Sequence, residues 1–421
     1  MDNIVDQLEY LFALERRGIK VGLEHTYQLL GQIGNPQQSF NSIHVAGTNG
    51  KGSTCANLAS ILKNANYTVG LYTSPHLVHF NERIRVNGLP IPDDYILKYI
   101  SRFRQHIEAI KTTFFEATTA MAFWYFEKRN VDIAIVETGL GGRLDSTNVL
   151  NPIQTIITSI AVDHSEILGK TIDKIAFEKG GIIKNGTPLI LANQEPTVKN
   201  ILQNRAKQKK SSVFTLNNSS IETTANINAL TRFHVNGISF CTPLKGYHQG
   251  MNASISVLSI NHFDPEISTE AIQKGLSSVS WPGRLQQMDP IKPIYYDVAH
   301  NAHGIHTILN MFRSWWSKKP FGVLALKSEK NINLIAPILK DSFSELIVTS
   351  LSDVGIIPAE TLWKTLKREG IPCTMINDVN IALTTLNENV NNDTPGLIFG
   401  SHYIANAIFE FFSFSFDNGV I

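Results

Sequence analysis

Cysteine is scarce in this chain. Cys55, Cys241 and Cys373 lie far apart and form no C-x-x-C pair, which argues against a disulfide framework or a zinc site and fits a reducing, cytoplasmic setting. Excess charge is missing too. The 37 basic residues face 36 acidic ones, so nothing draws the chain to nucleic acid or to an anionic membrane in general. No apolar run reaches the ~18–20 residues of a membrane span. The start, Met1-Asp2-Asn3-Ile4-Val5-Asp6, lacks the basic and then apolar pattern of a secretion signal. Internal repeats and low-complexity tracts are absent as well.

What is present is core-forming material. Hydrophobic residues make up 43% of 421, and single cores stop growing beyond ~250–300 residues, so two domains are expected. Short apolar runs alternate with amphipathic stretches, the pattern of an α/β chain with largely parallel sheets. Strands are expected at 42–46, 68–73, 131–136, 155–160 and 188–192, with helices at 53–64 and 115–128. The polar stretch 207–234 reads as short strands and loops. A boundary is expected at Trp281-Pro282-Gly283-Arg284, followed by Pro290 and Pro293, because Pro and Gly punctuate linkers. This divides the chain into 1–280, a linker over 281–290, and 291–421. Strands then recur at 294–296, 322–325, 346–348 and 397–399, with a helix at 358–368.

Gly47-Thr48-Asn49-Gly50-Lys51-Gly52-Ser53-Thr54 follows an expected strand and opens an expected helix. Small residues there let backbone N–H groups surround a phosphate, and the helix N-terminus adds positive potential. Lys51 supplies a full charge, and Ser53 or Thr54 can place a hydroxyl near a magnesium ion. The match to G-x-x-x-x-G-K-[ST] is imperfect, since Val45 takes the first glycine position and Gly52 separates Lys51 from Ser53. The bland alternative is an ordinary Gly-rich turn.

Ligands of open α/β sheets bind beyond the carboxyl ends of the strands. Four expected strands end in useful groups: the loop at Gly47, Ser74-Pro75-His76, Glu137 with the run to Asp145, and Asp163-His164. Glu137 is placed to hold magnesium, a hard cation that prefers oxygen and keeps several waters. Taken singly, Ser74 also reads as a turn former, Asp163 as a cap, His164 as a structural histidine and Lys179 as a solvated charge.

Together these segments resemble the folylpolyglutamate synthase/dihydrofolate synthase family, a branch of the Mur ligases. The resemblance rests on His44 to Ser53, Tyr72 to Leu77, Asn81 to Ile84, Val136 to Asn148, Ala161 to His164, Glu178 to Ile183, Pro282 to Arg284 and Asp297 to Asn301. It implies a phosphate-loop ATP-binding domain of Mur-ligase type and a smaller, Rossmann-like C-terminal α/β domain. The implied activity adds L-glutamate, with ATP, to dihydropteroate and to the γ-carboxyl of folates through an acyl phosphate. Folylpolyglutamate synthesis alone, or NTP hydrolysis without ligation, are the alternatives. No N-K-x-D motif suggests a guanine-specific switch. The 46 residues before Gly47 are too few for the extra domain of the cell-wall branch.

The resemblance also assigns roles. ATP contacts fall on Gly50, Lys51, Gly52, Ser53, Asn252, Arg284 and Asp297, and magnesium ligands on Ser74, Glu137 and His164. Lys179 is the carbamylated lysine, and with Lys51 and His300 it makes up the catalytic set. Pterin contacts fall on Ile19, Lys20, Val21, Thr113, Leu144, Asp145 and Ser146, and glutamate contacts on Arg83, His300 and Ser401. ATP and Mg2+ are the expected cofactors, small molecules the expected partners, and a monomer the expected state. Two segments depart from the family pattern: Ala302 replaces a common proline, and a Lys-Asp-Lys-Asp-like segment reads Leu326-Lys327-Ser328-Glu329-Lys330.

Overall fold

A computed structural model describes residues 3–18, 22–216, 219–222, 229–351 and 355–414. The larger sheet contains β1 (Asn41–Ala46), β2 (Val69–Tyr72), β3 (Ile84–Val86), β4 (Leu89–Pro90), β5 (Ile133–Glu137), β6 (Gln154–Ile157), β7 (Leu189–Leu191) and β8 (Val213–Thr215). Their spatial order is β4-β3-β2-β5-β1-β6-β7-β8. The strands from β2 to β8 are parallel, and β3 and β4 form an antiparallel edge. Buried on both faces, the parallel strands carry near-continuous apolar runs.

Alternate residues of each strand face opposite sides. Tyr72, Ala134 and Val136 therefore pack under helices Phe114–Lys128 and Asp93–Ile110. Leu71, Ile133, Ile135 and Ile43 pack on the other face with helices Lys51–Asn64 and Tyr247–Phe263. The Phe114–Lys128 helix is buried along most of its length, as an all-round apolar helix must be. Thr113 caps it: its hydroxyl accepts from the Glu116 N–H while the Glu116 carboxylate accepts from the Thr113 N–H at 2.7 Å, a capping box.

A three-stranded antiparallel sheet, β9 (Ser219–Ile221), β10 (Thr231–Val235) and β11 (Ile238–Thr242), packs Phe233, Val235 and Phe240 into the second of these cores. The third sheet contains β12 (Gln286–Gln287), β13 (Ile294–Asp297), β14 (Phe321–Leu324), β15 (Glu345–Val348), β16 (Thr374–Met375) and β17 (Gly396–Phe399). Its order is β12-β13-β17-β14-β15-β16, parallel except for β12. Cores lie on both of its faces.

Several expected elements differ from the observed ones by a residue or more at their ends, and two of these differences bear on the site. The strand expected at 155–160 ends at Ile157. Beyond it, the Ser159 carbonyl accepts from the N–H groups of Thr48 and Asn49 at 2.8 and 3.2 Å. Those residues leave the strand to brace the glycine-rich loop. The helix expected from Ser53 begins at Lys51, with Gly50 as its N-cap at φ 88°.

Candidate active site

The glycine-rich loop is shaped by close approach. A side chain on Gly47, at φ 153°, would sit 1.9 Å from the Thr158 hydroxyl, and one on Gly50 would sit 2.3 Å from Asn252 Oδ1. Asn252 therefore lies against the loop. Thr48 is pinned by its hydroxyl, which donates to the Ala161 carbonyl at 3.0 Å. Ser53 Oγ and Thr54 Oγ1 are buried at the start of the helix with no hydrogen-bond partner among the described residues. Such hydroxyls are costly to leave unsatisfied. Here they suit phosphate oxygens or a hydrated cation at a helix N-terminus.

Lys51 Nζ lies 3.7 Å from Glu137 Oε1. Glu137, at the end of β5, is buried, and burial pushes its carboxyl up from the ordinary value against the pull of Lys51. Its other oxygen accepts from the Ser74 N–H at 3.1 Å. The structure thus brings together Lys51, Glu137 and Ser74. Among the described residues no three His, Cys, Asp or Glu side chains form a metal cluster. A magnesium ion held here would complete its shell with phosphate oxygens and water, which is its habit.

Lys179 is also buried, and its Nζ donates to the Gly47 carbonyl at 2.7 Å. Burial, helped by the Lys51 charge, lowers its ammonium to about 7. Two glycine segments make this possible. A side chain on Gly142 would meet the Lys179 carbonyl at 2.8 Å, and one on Gly181 would meet Arg143 Cα at 2.3 Å. Arg143 then clamps Glu178, Nη2 to Oε1 at 2.9 Å. Gly181→Ala should cost ~1–3 kcal/mol, the range for overpacking, because the obstructing atom is backbone. Chemical denaturation checks this against Gly31→Ala, whose added carbon meets nothing within 4 Å and which should leave stability unchanged or higher.

Asp163 joins the two large sheets. Its carboxylate accepts from Lys330 Nζ at 2.8 Å and from Asn301 Nδ2 at 3.0 Å, and lies 3.6 Å from His300 Nε2. Burial alone would raise its pKa, but the His300 contact and the Lys330 charge outweigh that and hold it well below the usual carboxylate range. Asn301 also donates to Asn49 Oδ1 of the glycine-rich loop at 3.0 Å. His164 follows in a left-handed conformation, φ 48°. Burial lowers its imidazole to about 4 against the pull of Asp163, so near pH 7 it is neutral and has a lone pair to offer a ligand.

Arg284, just before β12, and Asp297, the last residue of β13, are near enough for the arginine charge to act on the carboxylate. Asp297 is buried and accepts from the N–H groups of Leu285 and Ala299 at 2.9 and 2.8 Å. Its carboxylate therefore organises the surrounding backbone.

A cavity of about 620 Å³ runs from this junction between the sheets. Ser74, Arg83, Thr113, Leu144, Asp145, Ser146, His164, His300 and Ser401 all line it. The described pterin and glutamate residues, with Ser74 and His164 of the expected metal set, thus share one cavity, while Glu137 does not line it. Ile19, Lys20 and Val21 lie outside the described residues. Asp145 is less free than the resemblance suggests, because its oxygens accept from the N–H groups of Leu140 and Thr147 at 2.8 and 3.0 Å. It shapes the wall more than it offers an open carboxylate. Arg83 is buried over the Phe114 ring at 5.1 Å and donates to His76 Nδ1 at 2.7 Å. Among the described residues no carboxylate pairs with it.

Sequence reasoning gave no role to Phe114, Phe115, Glu116 or Lys330, and did not foresee the contacts of Asn49 and Asp163 with the third sheet. Phe114 and Phe115 flank the cavity at the start of a helix, where they read simply as core. Asp163 was visible beside His164 at a strand end. Lys330 sat in the segment that departs from the family pattern, and only the fold shows that its charge is kept for Asp163.

Comparison with known proteins agrees with this geometry. The family described as Mur ligase middle domain matches residues 45–260. A dihydrofolate synthase/folylpolyglutamate synthase of Bacillus subtilis is 40% identical over 351 residues, covering 78% of this chain and 81% of that protein. A folylpolyglutamate synthase of Mycobacterium tuberculosis, solved with ADP and AMPPCP, superposes with a TM-score of 0.89 at 27% identity over 98% of this chain and 100% of that one. A bifunctional folylpolyglutamate synthase/dihydrofolate synthase of Yersinia pestis, solved with AMPPNP and a manganese ion, gives 0.86 at 25% identity, covering 97% and 98%. The chain belongs to the dihydrofolate synthase/folylpolyglutamate synthase family of Mur ligases.

Proposed function

We propose that this chain is an ATP-dependent ligase that joins L-glutamate to dihydropteroate and to the γ-carboxyl of reduced folates. The observation that carries the reading is one cavity lined by the aromatic rings of Phe114 and Phe115, the Arg83 guanidinium and the His300 imidazole. It suits a flat heterocycle linked to a carboxylate, together with an amino acid. The nucleotide and divalent ion bound by solved relatives support ATP with Mg2+.

In this reading the chain has three parts, 1–280, a linker at 281–290, and 291–421. ATP lies on Gly50, Lys51, Gly52 and Ser53, flanked by Asn252, Arg284 and Asp297. The substrate carboxylate attacks the γ-phosphorus, a P–O bond to ADP breaks, and an acyl phosphate forms. Lys51 and the loop amides hold the charge on the transferring phosphoryl group. Ser74, Glu137, His164 and carbamylated Lys179 would hold Mg2+, which supplies further charge neutralisation.

The glutamate amine then attacks the acyl carbon and phosphate leaves. Arg83 and Ser401 hold the glutamate. His300 Nδ1–H donates to the Val298 carbonyl at 2.8 Å, which turns Nε2 towards the cavity and Asp163 to take the amine proton. The lysine modification follows from the same burial. With its ammonium lowered to about 7, Lys179 offers a neutral amine to the carbon of CO2. An N–C bond forms, a proton leaves, and a carbamate carries the negative charge. No helix among the described residues is long and apolar enough to cross a membrane, and the three cysteines are unpaired, which suits a reducing cytoplasm.

Glutamate-dependent ADP release tests the reading. ADP should appear at the full rate only when pteroate or folate substrate and glutamate are both present. A rate indifferent to glutamate favours plain NTP hydrolysis.

A further inference from the structure

A second cavity, of about 420 Å³, opens at the opposite edge of the larger sheet. Asn151 and Pro152 lead into β6 there, Lys184 and Thr187 lead into β7, and Arg205 and Lys209 stand at the end of the helix Pro196–Gln208. Three of its lining residues are cations, Lys184, Arg205 and Lys209, and none is acidic. Glu178, the acid whose charge reaches Arg205, is itself clamped by Arg143. Arg205 Nε is buried with no hydrogen-bond partner among the described residues. Lys184 donates to the Asn148 carbonyl at 2.7 Å, which satisfies one of its protons and leaves its charge uncompensated.

Holding half-buried like charges together is unfavourable unless an anion offsets them. The effect is visible at Lys184, where burial and the Lys209 charge lower the ammonium to about 8. A volume of about 420 Å³ exceeds the needs of a small ion and suits a compact ligand. Lysines placed as point charges beside an arginine fork are a recurrent way to hold phosphate.

We propose that this cavity is a second anion site that takes a phosphate group, separate from the glycine-rich loop. It lies directly behind the catalytic side: the turn Gly180–Ile182 connects Lys179 at the active site to Gly181, Ile183 and Lys184 in the basic cavity. An occupant would contact one end of the turn whose other end carries Lys179.

The test is calorimetric titration of the full chain, saturated with ADP and Mg2+ so that the glycine-rich loop is filled. Inorganic phosphate should bind in one further equivalent. The double variant Lys184→Gln/Lys209→Gln should weaken it at least tenfold, while Lys207→Gln, exposed on the same helix, should not. Parallel titration with glucose 6-phosphate distinguishes the sources, since tighter binding than phosphate assigns a phosphorylated metabolite and weaker binding assigns the free ion. Thermal melting guards against misfolding: the double variant should melt no lower than wild type without phosphate and lose the rise that phosphate gives wild type. No further equivalent in the ADP-loaded protein, or binding unchanged by the double variant, overturns the proposal.

Discussion

Lys51→Met should lower turnover by about 10²–10³-fold, the loss typical of removing one preorganised charge from a developing oxyanion. The side chain keeps its length and loses its charge. Among the described residues Lys51 Nζ has only the Thr48 carbonyl at 3.3 Å and Glu137 at 3.7 Å as close partners, so its charge is available to phosphate. The fall should appear mainly in kcat, because the loop amides and the helix N-terminus still hold nucleotide in the ground state. Steady-state ADP release separates the two parameters. A rise in KM with kcat intact would mean that Lys51 only helps nucleotide to bind. The variant also leaves buried Glu137 without its cation, so a lower melting temperature is expected alongside.

Lys179→Ala should be as damaging, and a small carboxylate should partly repair it. If Lys179 works as a carbamate, the cavity left by alanine beside the Gly47 carbonyl is one that formate or acetate can enter. Recovery of turnover by roughly tenfold or more with added formate, on the scale of a restored metal ligand, is the expected result. Recovery by methylamine instead would indicate that the free amine is the active form. The pH dependence has a definite sign. Only the neutral amine reacts with CO2, and the Lys179 ammonium is lowered from 10.5 to about 7. Labelling by 13C-bicarbonate should therefore rise as pH passes upward through about 7, well before an ordinary lysine reacts. For the unmodified protein, the depressed value penalises the folded state below about 7, and the penalty shrinks as pH climbs towards 10.5. Lys179→Met, denatured without CO2, should exceed wild-type stability most at pH below 7, with the gap closing as pH rises.

Much of this site could be read in the sequence because strands of a parallel sheet must end at one edge. The runs ending at Ala46, Tyr72, Glu137 and Ile157 are short and apolar, so the strands were easy to find, although the last was expected to run on to residue 160. Once they share a sheet, Gly47, Ser74, Glu137 and Asp163 fall on the same edge. The roles given to Lys179, Asn252 and Arg284 came from resemblance, because nothing in local periodicity separates a buried lysine from a solvated one. What remained hidden was the meeting of the two large sheets. Asn49 with Asn301 and Asp163 with Lys330 are pairs separated by 252 and 167 residues, and no pattern of hydrophobic period reports such contacts. Phe114 and Phe115 were hidden differently: an aromatic at a helix start has the same sequence signature whether it faces a core or a ligand.

The most direct measurement offers the purified protein dihydropteroate and tetrahydrofolate in parallel, each with ATP, Mg2+ and labelled L-glutamate. Both should gain glutamate, with one ADP formed for each amide bond. Extension of tetrahydrofolate alone would contradict the claim of two synthase activities, and ADP formed without any labelled product would contradict the claim that this is a ligase.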